Sequence, residues 1–354
     1  MAFTQRVVVI VGVIGLATVV LYLVAVGLDV LLLGFAGVLL ALFLRGVAYG
    51  VGWVTGLRDG AALALAIALL LALTSVAGWL ILPAVVEQTG QLLQRLPESL
   101  TQVRDTMART TWGRTIAPYL PEPHRVLQLQ HPMRAGSTLL STLGSVAGAV
   151  ASVVLVLFIG LYVAVAPGPY RRGVLWLVPP ARRSGADRVL SILAHTLQRW
   201  LVGKVVGMVV IGTLTGIGLA VVGVPLALAL GVLAGLLNFI PYIGPLVSFV
   251  PAALLGMPQG LATVLWVLAL YVVIQGLESY IVTPLIQQKA VALPPALLVT
   301  SQVLLGVAIG GLGLLLATPI TATVVILLRE LYVERELYVE PLEGADSRRR
   351  QQAA

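Results

Sequence analysis

PLALALGVLAGLLNFIPYIGPLVSFVPAALLG, residues Pro225–Gly256, carries no charge over 32 residues and a knot of helix breakers in its middle. A helix crossing about 30 Å of hydrocarbon needs roughly 20 apolar residues, so the stretch is long for one crossing and short for two. The interruption is NFIPYIGP (Asn238–Pro245), and its freed backbone groups must face protein or a water-filled cavity rather than lipid. A second stretch of the same kind, Pro294–Leu328, is interrupted by GGLG (Gly310–Gly313). At an offset near 69, Pro225 aligns with Pro294, Gly244 with Gly313, and Pro251 falls beside Pro319. Paired, Gly/Pro-interrupted apolar segments in corresponding places point to a transporter binding site. Each stretch could cross once, giving eight spans. Each could instead be a re-entrant hairpin, making 205–256 and 261–328 an inverted repeat. The plainer reading is two bent helices alike through shared composition.

The rest of the chain supports a membrane protein. Of 354 residues 59% are hydrophobic and 10% charged, and mean hydropathy is +1.03, whereas soluble domains carry about 25% charged residues. That excess excludes a single water-soluble core and a disordered chain. The 22 basic residues, 20 of them Arg, outnumber 14 acids. They lie mostly between apolar runs, which suits lipid headgroups and topology control rather than nucleic acid. With no cysteine there is no disulfide framework, thiolate metal site or cysteine nucleophile. No HExxH, Walker motif or Ser/His pair occurs within the spans, so neither a metal, a cofactor nor an enzymatic activity is expected.

The expected fold is an all-α integral membrane protein of about eight segments, two of them (225–256 and 294–328) broken or re-entrant, with a small extramembrane helical lobe. Residues 1–83 hold N-terminal membrane helices: Val7–Leu28, read as retained rather than cleaved, then Val30–Leu44 after Asp29, then Ala61–Pro83. Residues 84–137 form the lobe, where Leu93, Leu96, Leu100, Val103 and Met107 make a helix-packing stripe before APYLPEP (Ala117–Pro123) ends the helix. A span follows over 138–166. Residues 167–204 read as a cytoplasmic basic loop and an amphipathic helix with Leu190, Leu193, Leu197 and Leu201 on one face, lying at the interface or packed under the bundle. A transport core spans 205–328, and a charged cytoplasmic tail 329–354 repeats RELYVE. Six of the 22 basic residues lie in the lobe and most others in the remaining loops and the tail, which favours cytoplasmic N- and C-termini.

Between Val205 and Leu328 the only charged residues are Glu278 and Lys289. An intramembrane carboxylate is costly and marks a functional candidate; the alternative is a structural pairing of Glu278 with Lys289. Gln275, one turn earlier on the same face, can share its network. Asn238 and Tyr242, with carbonyls released by Pro241 and Pro245, could bind a cation or a polyhydroxylated solute. Gly244, Gly310, Gly311, Gly313 and Pro319 complete the breaks lining the expected pathway. Ser301, Gln302, Thr318 and Thr321 are weaker candidates, since Ser and Thr often bond their own helix. His124, His131 and His195 lack metal-ligand spacing.

These residues resemble the autoinducer-2 exporter family of bacterial multispan membrane proteins. The resemblance rests on LNFIPYIGPLVSFVPAAL (Leu237–Leu254), on Gln275-x-x-Glu278 with Pro284, and on Leu293–Pro319. GKVVGM (Gly203–Met208) and GVP (Gly223–Pro225) add to it. It covers 199–328 in detail and 1–198 in architecture only. Gln287-Gln288-Lys289 departs from the family's glycine before the lysine. Members are reported as exporters of the signalling furanone autoinducer-2 and as sodium–proton antiporters. The resemblance therefore implies an inner-membrane secondary transporter of a small polar metabolite or a monovalent cation, with protons as a coupling partner. An oligomeric channel-like pore and a non-transporting scaffold are the other readings. The 93–107 stripe and small-residue faces add a homo-oligomer to the expectations, and the bilayer is its partner throughout.

Overall fold

The computed structural model describes the backbone of residues 3–108, 139–282 and 293–330, and side chains over 27–91, at 101, and over 148–281 and 293–330. Among these residues every regular element is helical. In chain order they are α1 (Phe3–Thr55), α2 (Asp59–Ala108), α3 (Leu139–Val165), α4 (Pro167–Trp176), α5 (Arg183–Val222), α6 (Ala227–Leu237), α7 (Ile243–Gly256), α8 (Leu261–Leu277), α9 (Pro295–Ile309) and α10 (Gly311–Glu330). A π-helical turn, Glu278–Val282, prolongs α8. Six helical stretches are long and apolar enough to cross a membrane: Gly27–Thr55, Asp59–Gln91, Gly148–Val165, Pro180–Val222, Leu261–Ile281 and Gly311–Glu330. The remaining apolar helices, α6, α7 and α9, are too short to cross alone.

One sequence expectation is corrected. Asp29 does not separate two spans: α1 is one helix of 53 residues, about 80 Å at 1.5 Å per residue. An exposed Asp inside a helix costs at most about 0.7 kcal/mol, too little to outweigh an apolar run on either side. Residue 3 and the 56–58 turn therefore lie at opposite ends of one helix, so a cytoplasmic N-terminus and a cytoplasmic 45–59 loop no longer follow together. Of the two placements weighed for the amphipathic stripe at 187–201, the interface or under the bundle, the packed one fits. The stripe belongs to the first half of α5, and its Leu197 and Leu201 are buried in one cluster with Leu32 and Leu39 of α1. No break marks residue 84, because α2 continues through Pro83 and Pro97 to Ala108. The break expected at 117–123, Lys289 and the RELYVE tail lie outside the described residues, as do the side chains of the 93–107 stripe.

The described helices define two ends. At one, Arg45 Nε donates to the Ala164 carbonyl (2.8 Å), occupying an orphan acceptor in the last turn of α3. Gly37 lies against Ile159 and Gly160 against Leu40, so α1 and α3 run parallel. A Cβ on Gly46 would come 2.7 Å from Val202, which brings α5 to the same level. This end is basic, with Arg45, Arg58 and the arginines of 171–183.

At the other end α6 begins and α7 finishes. Leu219, Val224, Leu230, Ala252, Leu255 and Val267 form one cluster there, joining the start of α6 to the end of α7. A Cβ on Gly256 would stand 3.8 Å from Val224, and Gln259 Nε2 donates to the Gly223 carbonyl (2.8 Å). The 225–256 stretch thus folds back to where it started. Gln88 of α2 reaches this end too, its Oε1 accepting the Ala229 N–H of the first turn of α6 (3.0 Å).

α6 lies on α5 along a seam of glycines. A Cβ on Gly231 would meet Gly216 Cα at 2.6 Å, and one on Gly235 would meet the Met208 carbonyl at 2.8 Å. Only glycine permits that backbone approach, the small-residue packing that replaces a hydrophobic drive inside lipid.

Candidate functional site

Counted back from Val222 at 1.5 Å per residue, Lys204 lies about 27 Å along α5; counted forward from Leu261, Glu278 lies about 26 Å along α8. The two helices pack together, and the two charges meet: Lys204 Nζ is 3.4 Å from Glu278 Oε1, with the side chains 6% and 13% exposed. Gln275 Nε2 donates to the other oxygen, Oε2, at 3.5 Å. Among the described residues the partner of Glu278 is Lys204; Lys289, weighed from sequence, lies outside them. Sequence reasoning passes over Lys204 because it stands at the margin of an apolar run, where a lysine reads as one that reaches back to the interface. One signal does mark it: it is one of two lysines in a chain of 20 arginines.

Beside Glu278 a narrow cavity of about 10 Å³, the room of about one water molecule, lies between α5, α6, α7 and α8. Thr215, Ser248, Tyr271 and Gln275 give it hydroxyl and amide groups, and Pro245 forms part of its wall. Tyr271 donates to the Ser248 carbonyl (3.1 Å), and Ser248 Oγ to the Pro245 carbonyl (3.1 Å). The start of α7 is thereby tied to α8 at the depth of the cavity.

Asn238 is 1% exposed, and neither its Oδ1 nor its Nδ2 has a partner. The next residue, Phe239, sets its ring edge-on to Trp200 with centroids 5.9 Å apart. Trp200 precedes Lys204 by one turn on the same face of α5, so the tip of the α6–α7 hairpin reaches the level of the ion pair. The carbonyls expected to be free are taken up by the turn itself. Leu237 accepts from Ile240 N–H (2.9 Å), Ile240 from Gly244 N–H (3.0 Å), and Pro241 from Ile243 N–H (2.7 Å). Tyr242 adopts φ 64° and is half exposed, so its side chain lies outside the cavity. Gly244 is required by space, since a Cβ would stand 1.9 Å from the Leu237 carbonyl.

The second break is built on the same plan but lies outside this cavity. Gly310 turns the chain at φ 77°, and a Cβ on Gly313 would stand 2.2 Å from the Leu305 carbonyl. Gly311 faces open space, and Pro319 is buried with its carbonyl accepting from Thr323 (2.7 Å). Gln302, on α9, is fully buried with neither amide atom bonded. Ser301 and Thr321 bond back to Leu298 and Ala317 of their own helices, and Thr318 is buried. Among the described residues no cluster of three or more His, Asp or Glu could hold a metal ion.

Buried charge, a small cavity with a few polar side chains in its wall, and two broken hairpins agree with what the chain is similar to. It is 29% identical over 176 residues to the AI-2 transport protein TqsA of Escherichia coli (strain K12), covering 49% of each chain. Two Bacillus subtilis (strain 168) proteins also match: YrrI is 28% identical over 158 residues (45% of each chain), and YueF 26% over 193 (54% of this chain, 52% of that one). The chain spans about half the length of these curated relatives. The AI-2E family transporter profile, in contrast, matches residues 7–332, nearly all of the multi-pass helical region, and so the chain belongs to the AI-2E family of transporters.

Proposed function

We propose that the protein is a secondary transporter exporting a small polar metabolite of the autoinducer-2 kind, with proton coupling at Glu278. The observation carrying this reading is the Lys204–Glu278 pair, enclosed among membrane helices with Gln275 on its second oxygen and a small, partly polar cavity alongside. Ionisable groups buried among membrane helices are rare and mark solute or proton routes. A solute hydroxyl entering beside Glu278 would compete with Lys204 for the carboxylate. Asn238 offers a free donor and acceptor at the same level. The two interrupted segments serve as re-entrant hairpins entering from opposite ends, with Pro241, Gly244, Pro245 and Gly310–Gly313 shaping their tips. We place the basic end in the cytoplasm and the 84–137 lobe outside a bacterial inner membrane, and assign the assembly to a homo-oligomer.

A sodium(lithium)–proton antiporter is the second reading, favoured by the oxygen-rich wall of Thr215, Ser248, Tyr271, Gln275 and Glu278, since oxygen donors suit hard cations. Proteoliposomes holding a pH gradient separate the two. Collapse of the gradient on adding sodium or lithium, abolished in Glu278→Gln, would make the protein an antiporter. Loss of preloaded autoinducer-2 from wild-type vesicles, with no cation response, would make it an exporter. Wild-type rates in both Glu278→Gln and Asn238→Ala would remove the site.

A further inference from the structure

α3 ends at Val165, the edge of an apolar span, and α4 begins two residues later at Pro167. None of the ten residues of α4 is buried. Tyr170, Val174 and Leu177 fall on one stripe at helical spacing, and Trp176 and Leu177 are 76% and 86% exposed. Such exposure of Trp and Leu at a span's end matches an element seated at the headgroup boundary. Its orientation is fixed, because Arg171 pairs with Asp187 of α5 and its Nη2 donates to Ser191 Oγ (2.6 Å).

Asp187 is the only acid between residues 167 and 204, and Arg171 neutralises it. Arg172, Arg182 and Arg183 keep their charge. Arg172 and Arg183 spend only Nε, on the Gly168 and Val178 carbonyls (3.4 and 3.1 Å). That tethers each guanidinium while leaving its terminal nitrogens available, and a planar guanidinium suits a phosphate oxygen pair. We propose that α4 and the turn after it form a binding site for an anionic bilayer lipid. Its phosphate is held by Arg172, Arg182 and Arg183, and its upper chain lies against Trp176 and Leu177.

The test is native mass spectrometry of the purified full chain offered phosphatidylglycerol and phosphatidylcholine in equal amounts. Wild type should retain phosphatidylglycerol preferentially. Arg172→Gln/Arg182→Gln/Arg183→Gln should lower that retention about a hundredfold, because each substitution takes one positive charge away from the headgroup phosphate, at an unchanged melting temperature. Trp176→Ser/Leu177→Ser should lower lipid retention as well. Equal retention of both lipids, or undiminished selectivity in the triple variant, would overturn the proposal. So would full displacement of the lipid by millimolar inorganic phosphate, which marks a site for the free anion. A dimer mass that disappears in the triple variant would assign the face to a second copy instead.

Discussion

The two hairpins share a plan and, among the described residues, differ in how they are fastened. In each, the second helix opens with a glycine seated against a carbonyl of the first, Gly244 on Leu237 and Gly313 on Leu305, and carries an internal proline, Pro251 or Pro319. The first is tied at its base by side chains of other elements: Gln88 on Ala229 and Gln259 on Gly223. Its flank is pressed to α5 along the glycine seam. The second turns on a single left-handed glycine and keeps inside it a buried glutamine, Gln302, without a partner. Among the described residues only the first hairpin shows polar ties at its base; residues 283–292 and those from 331 onward, which flank the second, lie outside them.

The largest effect should come from the pair joining α5, which leads into the first hairpin, to α8, which leads into the second. Lys204→Met leaves Glu278 buried alone and should cost about 3–5 kcal/mol, read as a lower melting temperature. Lys204→Met/Glu278→Gln should recover most of it while still failing to transport. If the double variant is no better than the single, the two charges do not act as a pair. Next come the tips. Gly244→Ala and Gly313→Ala should each cost about 3 kcal/mol or more, since the new methyl meets backbone that cannot move aside. Gly311→Ala, facing open space, should change stability by less than about 1 kcal/mol. Unequal losses at 244 and 313 would end the likeness of the two hairpins.

Smaller effects probe the anchoring. Gln302→Leu removes a buried unpaired amide and should stabilise by about 1–2 kcal/mol; a loss of stability would show that the amide is satisfied in the membrane. Gln88→Leu should cost about 1 kcal/mol, the scale of a lost helix cap, with faster hydrogen exchange confined to the first turn of α6. Exchange spreading equally over α9 would erase the difference between the halves.

The apolar runs and both breaks are legible in the sequence because length and Gly/Pro chemistry act locally. Glu278 and Gln275 are legible for the same reason: one carboxylate in a long apolar stretch has few explanations. Lys204 is not, because its meaning depends on a residue 74 positions away, and no local pattern encodes which helices touch. The continuity of α1 is hidden at Asp29, where a charge within a run looks like punctuation although a helix tolerates it at small cost. The 187–201 stripe is legible as a stripe. What covers it, Leu32 and Leu39 of α1, is a tertiary fact.

The hydrogen bond from Gln88 to α6 makes α2 a lever. The helix runs unbroken for 50 residues, about 75 Å, with Gln88 about 44 Å from its Asp59 end and 20 residues of the same rod beyond it. A tilt of only about 5° about the Asp59 end swings Gln88 through about 4 Å at this helical rise, more than the length of the bond it holds. Whatever grips the far end of α2 therefore pulls directly on the first peptide groups of a hairpin whose tip lies level with the Lys204–Glu278 pair.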